Sequence, residues 1–335
     1  QRDVIKSQAA VLQSYWLRDH FITMLGWRRD EDYFVRQLLL WQANPADVDD
    51  PGKVHYGFND FSFPGSPPPN VAKEIKSYSA VLRWPQKLIK LPTGTDFSGF
   101  YNRSENFTAS GGRVDLYGRP LGSPQGKTQE YGFNFSALND KLSLRVNRFE
   151  TGVQGATYTP PVFTSARVAV ADTTGDWALE GNTNPQLVAQ TNADIELMFS
   201  VLPVNFREIW RWQVTGTAPN LERFVIALPG VGDTTDFTAK GTEIELVYNP
   251  TRNWRIMANV AKQETVKSHS VPVTKEFIAH MLPVWNQLRN RPRGNYPLGW
   301  QPGDPLPANV QTYGTWLDNN VFVPYATELA NEGVA

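Results

Sequence analysis

A period-two alternation of apolar and polar residues over Gly241–Glu264, GTEIELVYNPTRNWRIMANVAKQE, restricts this chain more than any other feature. Ile244, Leu246 and Tyr248 fall on one side of an extended backbone, with Glu243, Glu245 and Asn249 on the other. Further on, Trp254, Ile256, Ala258 and Val260 share a side, and Arg255, Asn259 and Gln263 lie opposite. A helix repeats every ~3.6 residues and cannot produce this pattern, whereas a strand does. Asn249-Pro250 between the two runs is a turn signal, so the stretch reads as a hairpin. A ribbon apolar on one face fits half of a soluble sandwich or a wall between lipid and a wet lumen.

The pattern recurs. Val4–Leu17 (with mixed faces), Phe21–Asp30, Ile75–Trp84, Asp96–Phe107, Thr128–Ala137 and Lys141–Glu150 all read as strands. Within each pair the connection is short: Arg18–His20, Pro85–Thr95, Leu138–Asp140. Between pairs it is long. Glu31 to about Ala72 contains Phe63-Pro64-Gly65-Ser66-Pro67-Pro68-Pro69, which no central strand tolerates. Thr108–Gly126, Thr151 to about Asp236, and Val266–Ala335 are the others. Pro185–Leu202, with Leu187, Val188, Ile195, Met198 and Phe199 at helical spacing, and Lys275–Leu288 are predicted helices inside these connections. Short turns alternating with long loops match an outer-membrane barrel, whereas soluble sandwiches mix connection lengths. The fold class expected is all-β: an antiparallel up-and-down transmembrane β-barrel section of about eight strands, open at both edges, with long, partly helical extracellular loops. Residues 1–335 form the partial barrel, 151–236 one large loop insertion and 266–335 a second.

Composition removes several alternatives. With 32 Lys+Arg against 33 Asp+Glu and no basic run, nothing suggests nucleic acid as a partner. The absence of cysteine excludes a disulfide framework, a cysteine–zinc site and a cysteine nucleophile. No apolar run reaches the ~18 residues of a spanning helix, but barrel strands need only ~9–11 alternating residues. The chain begins at Gln1, with neither an initiator Met nor a signal sequence, which reads as a piece of a longer protein or a mature chain.

Three stretches carry a family likeness. Leu25-Gly26-Trp27-Arg28-Arg29-Asp30 resembles the Gly-hydrophobic-Arg-x-Asp strand end of TonB-dependent outer-membrane receptors. Asp96–Arg119, through Phe100-Tyr101-Asn102-Arg103 and Gly112-Arg113-Val114-Asp115, resembles the barrel part of such receptors. Lys240–Leu246 with Trp254-Arg255-Ile256 is similar to their paired strands. The overall look is closest to the large receptors of Verrucomicrobia-like bacteria. No stretch resembles the family's plug domain or TonB box, so the likeness implies an internal section, about eight of some twenty-two strands. It implies energised uptake of a small-molecule ligand (a siderophore, an oligosaccharide or a cobalamin) across the bacterial cell outer membrane. The partners implied are outer-membrane lipid and the TonB energy-coupling system acting through the plug.

Other motifs have plainer readings. Gly118–Thr128 ends like a phosphate loop, but Leu121 stands where its first Gly belongs and a strand pattern follows Lys127-Thr128. His20, His55, His269 and His280 are dispersed, without zinc spacing. Asp47, Asp49 and Asp50 are not followed by the acidic positions of a calcium loop. Glu243 and Glu245 could serve as a glycosidase pair, yet lumen-facing polarity explains them. Asn102, Asn106 and Asn134 begin Asn-x-Ser/Thr triplets that would be accidental in a bacterial outer-membrane protein. No enzyme activity, cofactor or metal is expected. Trp177, Trp210, Trp212, Trp285, Trp300 and Trp316 fall in the long loops and are the ligand-stacking candidates; the alternative is that they pack a loop into a folded cap. Two other functions stay open: a secreted carbohydrate-binding or carbohydrate-active β-sandwich, and a non-transporting outer-membrane barrel or adhesin.

Overall fold

The computed structural model describes residues 2–35, 41–43, 54–56, 71–86, 89–109, 113–166, 185–204, 206, 213–217, 220–224, 231–293, 301 and 303–333. Eight strands form one sheet: β1 (Arg2–Trp16), β2 (Phe21–Val35), β3 (Val71–Arg83), β4 (Asp96–Phe107), β5 (Gln125–Ala137), β6 (Leu142–Tyr158), β7 (Asp233–Thr251) and β8 (Trp254–Ser268). They lie side by side in chain order, each antiparallel to the last. β1 and β8 have one sheet neighbour each, so the sheet is open. Trp41–Ala43 with Val54–Tyr56, and Gln213–Thr217 with Asn220–Phe224, pair as separate short hairpins.

Up-and-down order puts the four short connections at one end, and backbone bonds tie them together there. Arg83 N donates to His20 O at 2.7 Å, Asn139 N to Gly94 O at 3.0 Å, and Asn249 N to Lys141 O at 2.7 Å. Two of these turns share one backbone. Leu17-Arg18-Asp19 has φ of 54, 57 and 68°, and Leu138-Asn139-Asp140 has 59, 56 and 63°. Asn and Asp tolerate the left-handed region, whereas for Leu it costs about 1–2 kcal/mol.

The fourth hairpin turn, between β7 and β8, differs from expectation. β7 continues through Asn249-Pro250 to Thr251, and the turn is Arg252-Asn253. The β7–β8 register slips between Tyr248 and Thr251, so Pro250, which lacks an N–H, occupies a bulge where no ladder donor is needed. Strand ends differ too. β2 runs past Asp30 to Val35, β6 past Glu150 to Tyr158, and β7 starts at Asp233 rather than Gly241. All three extensions point toward the long loops. At 12 to 19 residues, β4 and β7 bracket strand lengths that exceed the ~9–11 needed to cross a bilayer.

The long connections after β4, β6 and β8 contribute to one compact body. It contains α1 (Pro185–Ser200), α2 (Pro272–Leu288), α3 (Tyr313–Leu317), α4 (Val323–Ala330), a π-helical segment over Asp318–Phe322 and a short helix over residues 161–166. Phe277, Ile278, Met281, Val284, Trp285 and Leu288 on α2 are buried together with Leu116, Tyr117, Val162, Phe163, Met198, Phe206, Tyr313 and Leu317. The α2 set recurs at three- and four-residue steps, which is one helix face turned inward.

Candidate functional site

Residues paired across an antiparallel ladder share a face, so the registers define both faces of the sheet. One face carries Trp16, Leu12 and Ala10 on β1; Phe21, Leu25 and Trp27 on β2; and Leu82, Ala80 and Tyr78 on β3. It continues with Phe97 and Tyr101 on β4, then Phe135, Phe133 and Tyr131 on β5. Leu142, Leu144 and Val146 on β6, Tyr248, Leu246 and Ile244 on β7, and Ile256, Ala258 and Val260 on β8 complete it. This is an apolar belt at the turn-end half of the sheet, interrupted by Ser14, Thr23 and Gly99. Among the described residues no second sheet covers it: Leu12 is 61%, Leu25 57% and Val260 66% exposed. Rings border the belt on both sides, Trp16, Phe21 and Phe97 near the turns and Trp27, Tyr78, Tyr101 and Tyr131 toward the loops. Phe97 stacks on Phe133 with centroids 5.6 Å apart, Tyr78 stacks on Tyr101 at 6.4 Å, and Trp84 meets Phe97 edge-on at 6.1 Å.

The opposite face is mixed on β1 to β3, where Val11, Ile22, Met24 and Val81 lie, and mostly polar from β4 to β8. Glu245 pairs with Arg145 and Asn259, Glu243 with Asn147 and Ala261, and Glu130 with Asn102 and Phe149. Two phenylalanines on it reach over glycines of the next strand, Phe100 at Gly132 and Phe149 at Gly241. A Cβ at Gly241 would meet the Phe149 ring at 2.6 Å, so glycine is what admits the ring. Arg145 lies over Phe100, 5.4 Å from its centroid.

At the loop end the cap is bolted to β6, β7 and β8. α2 has no side-chain cap of its own, and Asp233 at the start of β7 supplies one: its Oδ2 accepts from Thr274 N and Thr274 Oγ1, both at 2.7 Å. Lys267 on β8, which lies on the polar face, donates to Glu328 Oε1 of α4 at 2.7 Å and to Tyr158 Oη of β6 at 3.2 Å. Tyr158 in turn donates to Glu328 Oε2 at 3.0 Å. α4 therefore sits toward the polar face. Lys275 Nζ donates to Glu332 Oε2 at 2.7 Å, which holds the Glu332 carboxyl below its ordinary pKa. Arg119 bridges Asp115, at 2.6 Å, and Glu276 of α2, at 2.9 Å. Tyr117 Oη lies 2.9 Å from His280 Nδ1, and burial pushes its phenol well above the usual range. Arg291 donates to both oxygens of Asp194 on α1, at 2.8 and 3.2 Å.

The tryptophan candidates divide. Trp285 is 0% exposed and Trp316 7%. Both indoles are core, the first edge-on to Phe277 and Phe322 and the second stacked on Tyr313, so here neither presents a free face to a ligand. Trp177, Trp210, Trp212 and Trp300 lie outside the described residues, as do Asp47, Asp49 and Asp50. Lys127-Thr128 lies in β5 and no helix follows, so the loop before it lacks the dipole a phosphate site requires. Among the described residues no His, Asp and Glu side chains converge as a metal ligand set. The Asp233 cap and the Lys267–Tyr158–Glu328 clamp had no local sequence signal, since their partners are 41 to 170 positions apart.

No family model and no curated protein matches the chain. Solved structures similar to it include the pyoverdine outer membrane receptor FpvA from Pseudomonas aeruginosa PAO1 bound to pyoverdine (12% identity, TM-score 0.42, 80% of this chain and 26% of that one). The copper transporter OprC follows at 13% and 0.36, covering 79% and 29%. The alcaligin outer membrane receptor FauA from Bordetella pertussis is 11% identical with a TM-score of 0.27, covering 79% and 38%. The chain thus spans 26 to 38% of these proteins' length. Likeness this distant fixes neither ligand nor activity.

Proposed function

We propose that this chain is a stretch of an outer-membrane β-barrel, and that the parent barrel takes up a small ligand in the TonB-dependent manner its motifs resemble. The observation that supports the membrane half is the belt. A water-soluble protein does not leave so large an apolar surface uncovered across eight strands. A bilayer covers it, and the bordering Trp and Tyr rings match the girdles such barrels place at both interfaces. The polar face then lines the lumen, with the cap over its outer mouth. Membership among the large receptors of Verrucomicrobia-like bacteria, a plug carried by the parent protein, and a siderophore or oligosaccharide as ligand belong to the same proposal and rest on the motifs alone. Trp177, Trp210, Trp212 and Trp300 are the residues we assign to ligand stacking.

The test uses the parent protein produced in a bacterial host. It should fractionate with the outer membrane. Added protease should cut it in intact cells, within the loops after β4, β6 and β8. Uptake of its ligand should stop when TonB is deleted. Recovery from a soluble fraction would end the membrane reading; uptake that persists without TonB would leave the barrel and remove the receptor.

A further inference from the structure

Register sorts the sheet's charges in a way no single strand reveals. On the apolar face, each strand can be followed from its turn end past the belt to its first charged residue. These are Lys6, Arg29, Lys76, Arg103, Lys127, Arg148, Lys240 and Lys262 on β1 to β8 in turn. All eight strands give a cation, although acids and bases are equally common in the chain. The polar face provides the control. Followed the same way on β2 to β8, it gives Arg28, Arg83, Asp96, Glu130, Arg145, Glu245 and Arg255, four cations and three acids.

Along the ladder the cation steps back from Lys6 on β1 to Lys262 on β8, the stagger that tilted barrel strands require of a level tier. Trp27, Tyr78 and Tyr101 stand directly below Arg29, Lys76 and Arg103. Glu31, Glu74, Glu105, Glu150 and Glu264 stand on the loop side, each two positions beyond a cation on its own strand. Arg29 and Lys240 are paired within the sheet, Arg29 with Glu31 at 3.0 Å and Lys240 with Glu150 at 3.4 Å. Among the described residues Lys76, Arg103, Lys127, Arg148 and Lys262 have no carboxylate within salt-bridge distance. Arg103 lies over the Tyr78 ring, 5.7 Å from its centroid.

Resting on the lipid-facing reading of the belt, we infer that this tier binds the phosphate groups of lipid headgroups in the leaflet on the long-loop side. The placement selects that occupant. A cation one step past the interfacial rings lies where a headgroup phosphate lies, and long Lys and Arg stems reach it with their apolar parts along the belt. The carboxylates beyond the tier repel an anion that moves outward, so the favourable position is one layer deep. Each cation near an anionic lipid surface strengthens partitioning by about fivefold, over a range of about one Debye length.

Vesicle flotation tests this, because aggregated protein sinks while lipid-bound protein rises. The complete parent barrel is diluted from urea into vesicles of phosphatidylcholine, or of phosphatidylcholine with phosphatidylglycerol or phosphatidic acid. It should float with neutral vesicles through its belt and partition more strongly into both anionic kinds. The triple variant Arg103→Gln, Arg148→Gln, Lys262→Gln should lose most of that gain, on the order of 100-fold from three cations, and keep its neutral binding. Arg83→Gln, Arg145→Gln, Arg255→Gln removes equal charge from the polar face and should change partitioning less than about twofold. Excess inorganic phosphate should compete no better than chloride of equal ionic strength. Equal losses in the two triples, no loss in either, or specific competition by free phosphate would overturn the inference and leave the belt standing. A parent protein that floats with no vesicle would remove the membrane reading, and this inference with it.

Discussion

The sheet and its cap treat apolar residues in opposite ways. In the cap, Phe277, Met281, Trp285 and Leu317 are fully enclosed, with Tyr117, Phe206 and Tyr313 around them. On the belt, Leu12, Leu25, Leu82 and Val260 are more than half exposed and meet no other layer. One region supplies its own apolar partner and the other does not. The cap is therefore a small aqueous domain built from loops, while the belt specifies a partner outside the chain. On the proposed membrane reading, that difference puts the water–lipid boundary between the two, at the level of Trp27, Tyr78, Tyr101 and Tyr131.

The sharpest way to break the comparison is to damage the cap's core and look for an effect on the belt. Trp285→Ala should cost the cap about 3–5 kcal/mol, the usual loss for a large buried ring. Amide exchange should accelerate throughout α1 and α2, while exchange in β5 to β8 below the belt's upper rings stays as it was. If both halves loosen together, they are one cooperative unit and the contrast is false.

The next effect in size compares the faces. Leu246→Arg on the belt should cost about 2–4 kcal/mol near the bilayer midplane, and Glu245→Arg on the polar face much less, since water remains available to it. Reversible unfolding of the complete parent barrel in lipid vesicles measures both. Equal costs would contradict the assignment of lipid to one face.

The smallest effect belongs to the cap alone. The Glu332 carboxyl, held by Lys275, has a folded pKa below its unfolded value. Its contribution is thus complete above the unfolded pKa, near ~4.3, and disappears as pH falls through the folded value. A nitroxide at Leu329→Cys should become more mobile on acidification through that window, and the Glu332→Gln variant should lack that part of the change. Belt labels should not respond.

The helices expected at Pro185–Leu202 and Lys275–Leu288 are present as α1 and α2. The turn-end half of the sheet was also legible in sequence, but the loop-end half of the sheet was not, for one physical reason. Where one face meets an apolar medium and the other water, alternation is written into the residues, as in Ile256 to Val260. Above the belt both faces are polar. The ladder continues because backbone hydrogen bonds do not need side-chain contrast, so β6 reaches Tyr158 and β7 begins at Asp233 without a periodic signal. Pro250 misled differently: a breaker read as a turn sits in a bulge. Of the site, the belt was legible from alternation. The cation tier was present in the same pattern one or two steps farther on, as Val260 leads to Lys262 and Val146 to Arg148. The clamp of Lys267, Tyr158 and Glu328 was not legible, because only tertiary folding brings these residues together.

This chain holds no cysteine of its own, so each label introduced into it replaces a residue of known register. Single cysteines at successive positions from Trp254 to Thr265 of the parent barrel in bilayers, each carrying a nitroxide, report oxygen access from lipid against access of a water-soluble relaxation agent. The account predicts lipid exposure at 256, 258 and 260, water exposure at 257, 259 and 261, and loss of the lipid signal from Lys262 onward. Uniform water exposure at all of these positions, or lipid exposure at 257, 259 and 261, would contradict it.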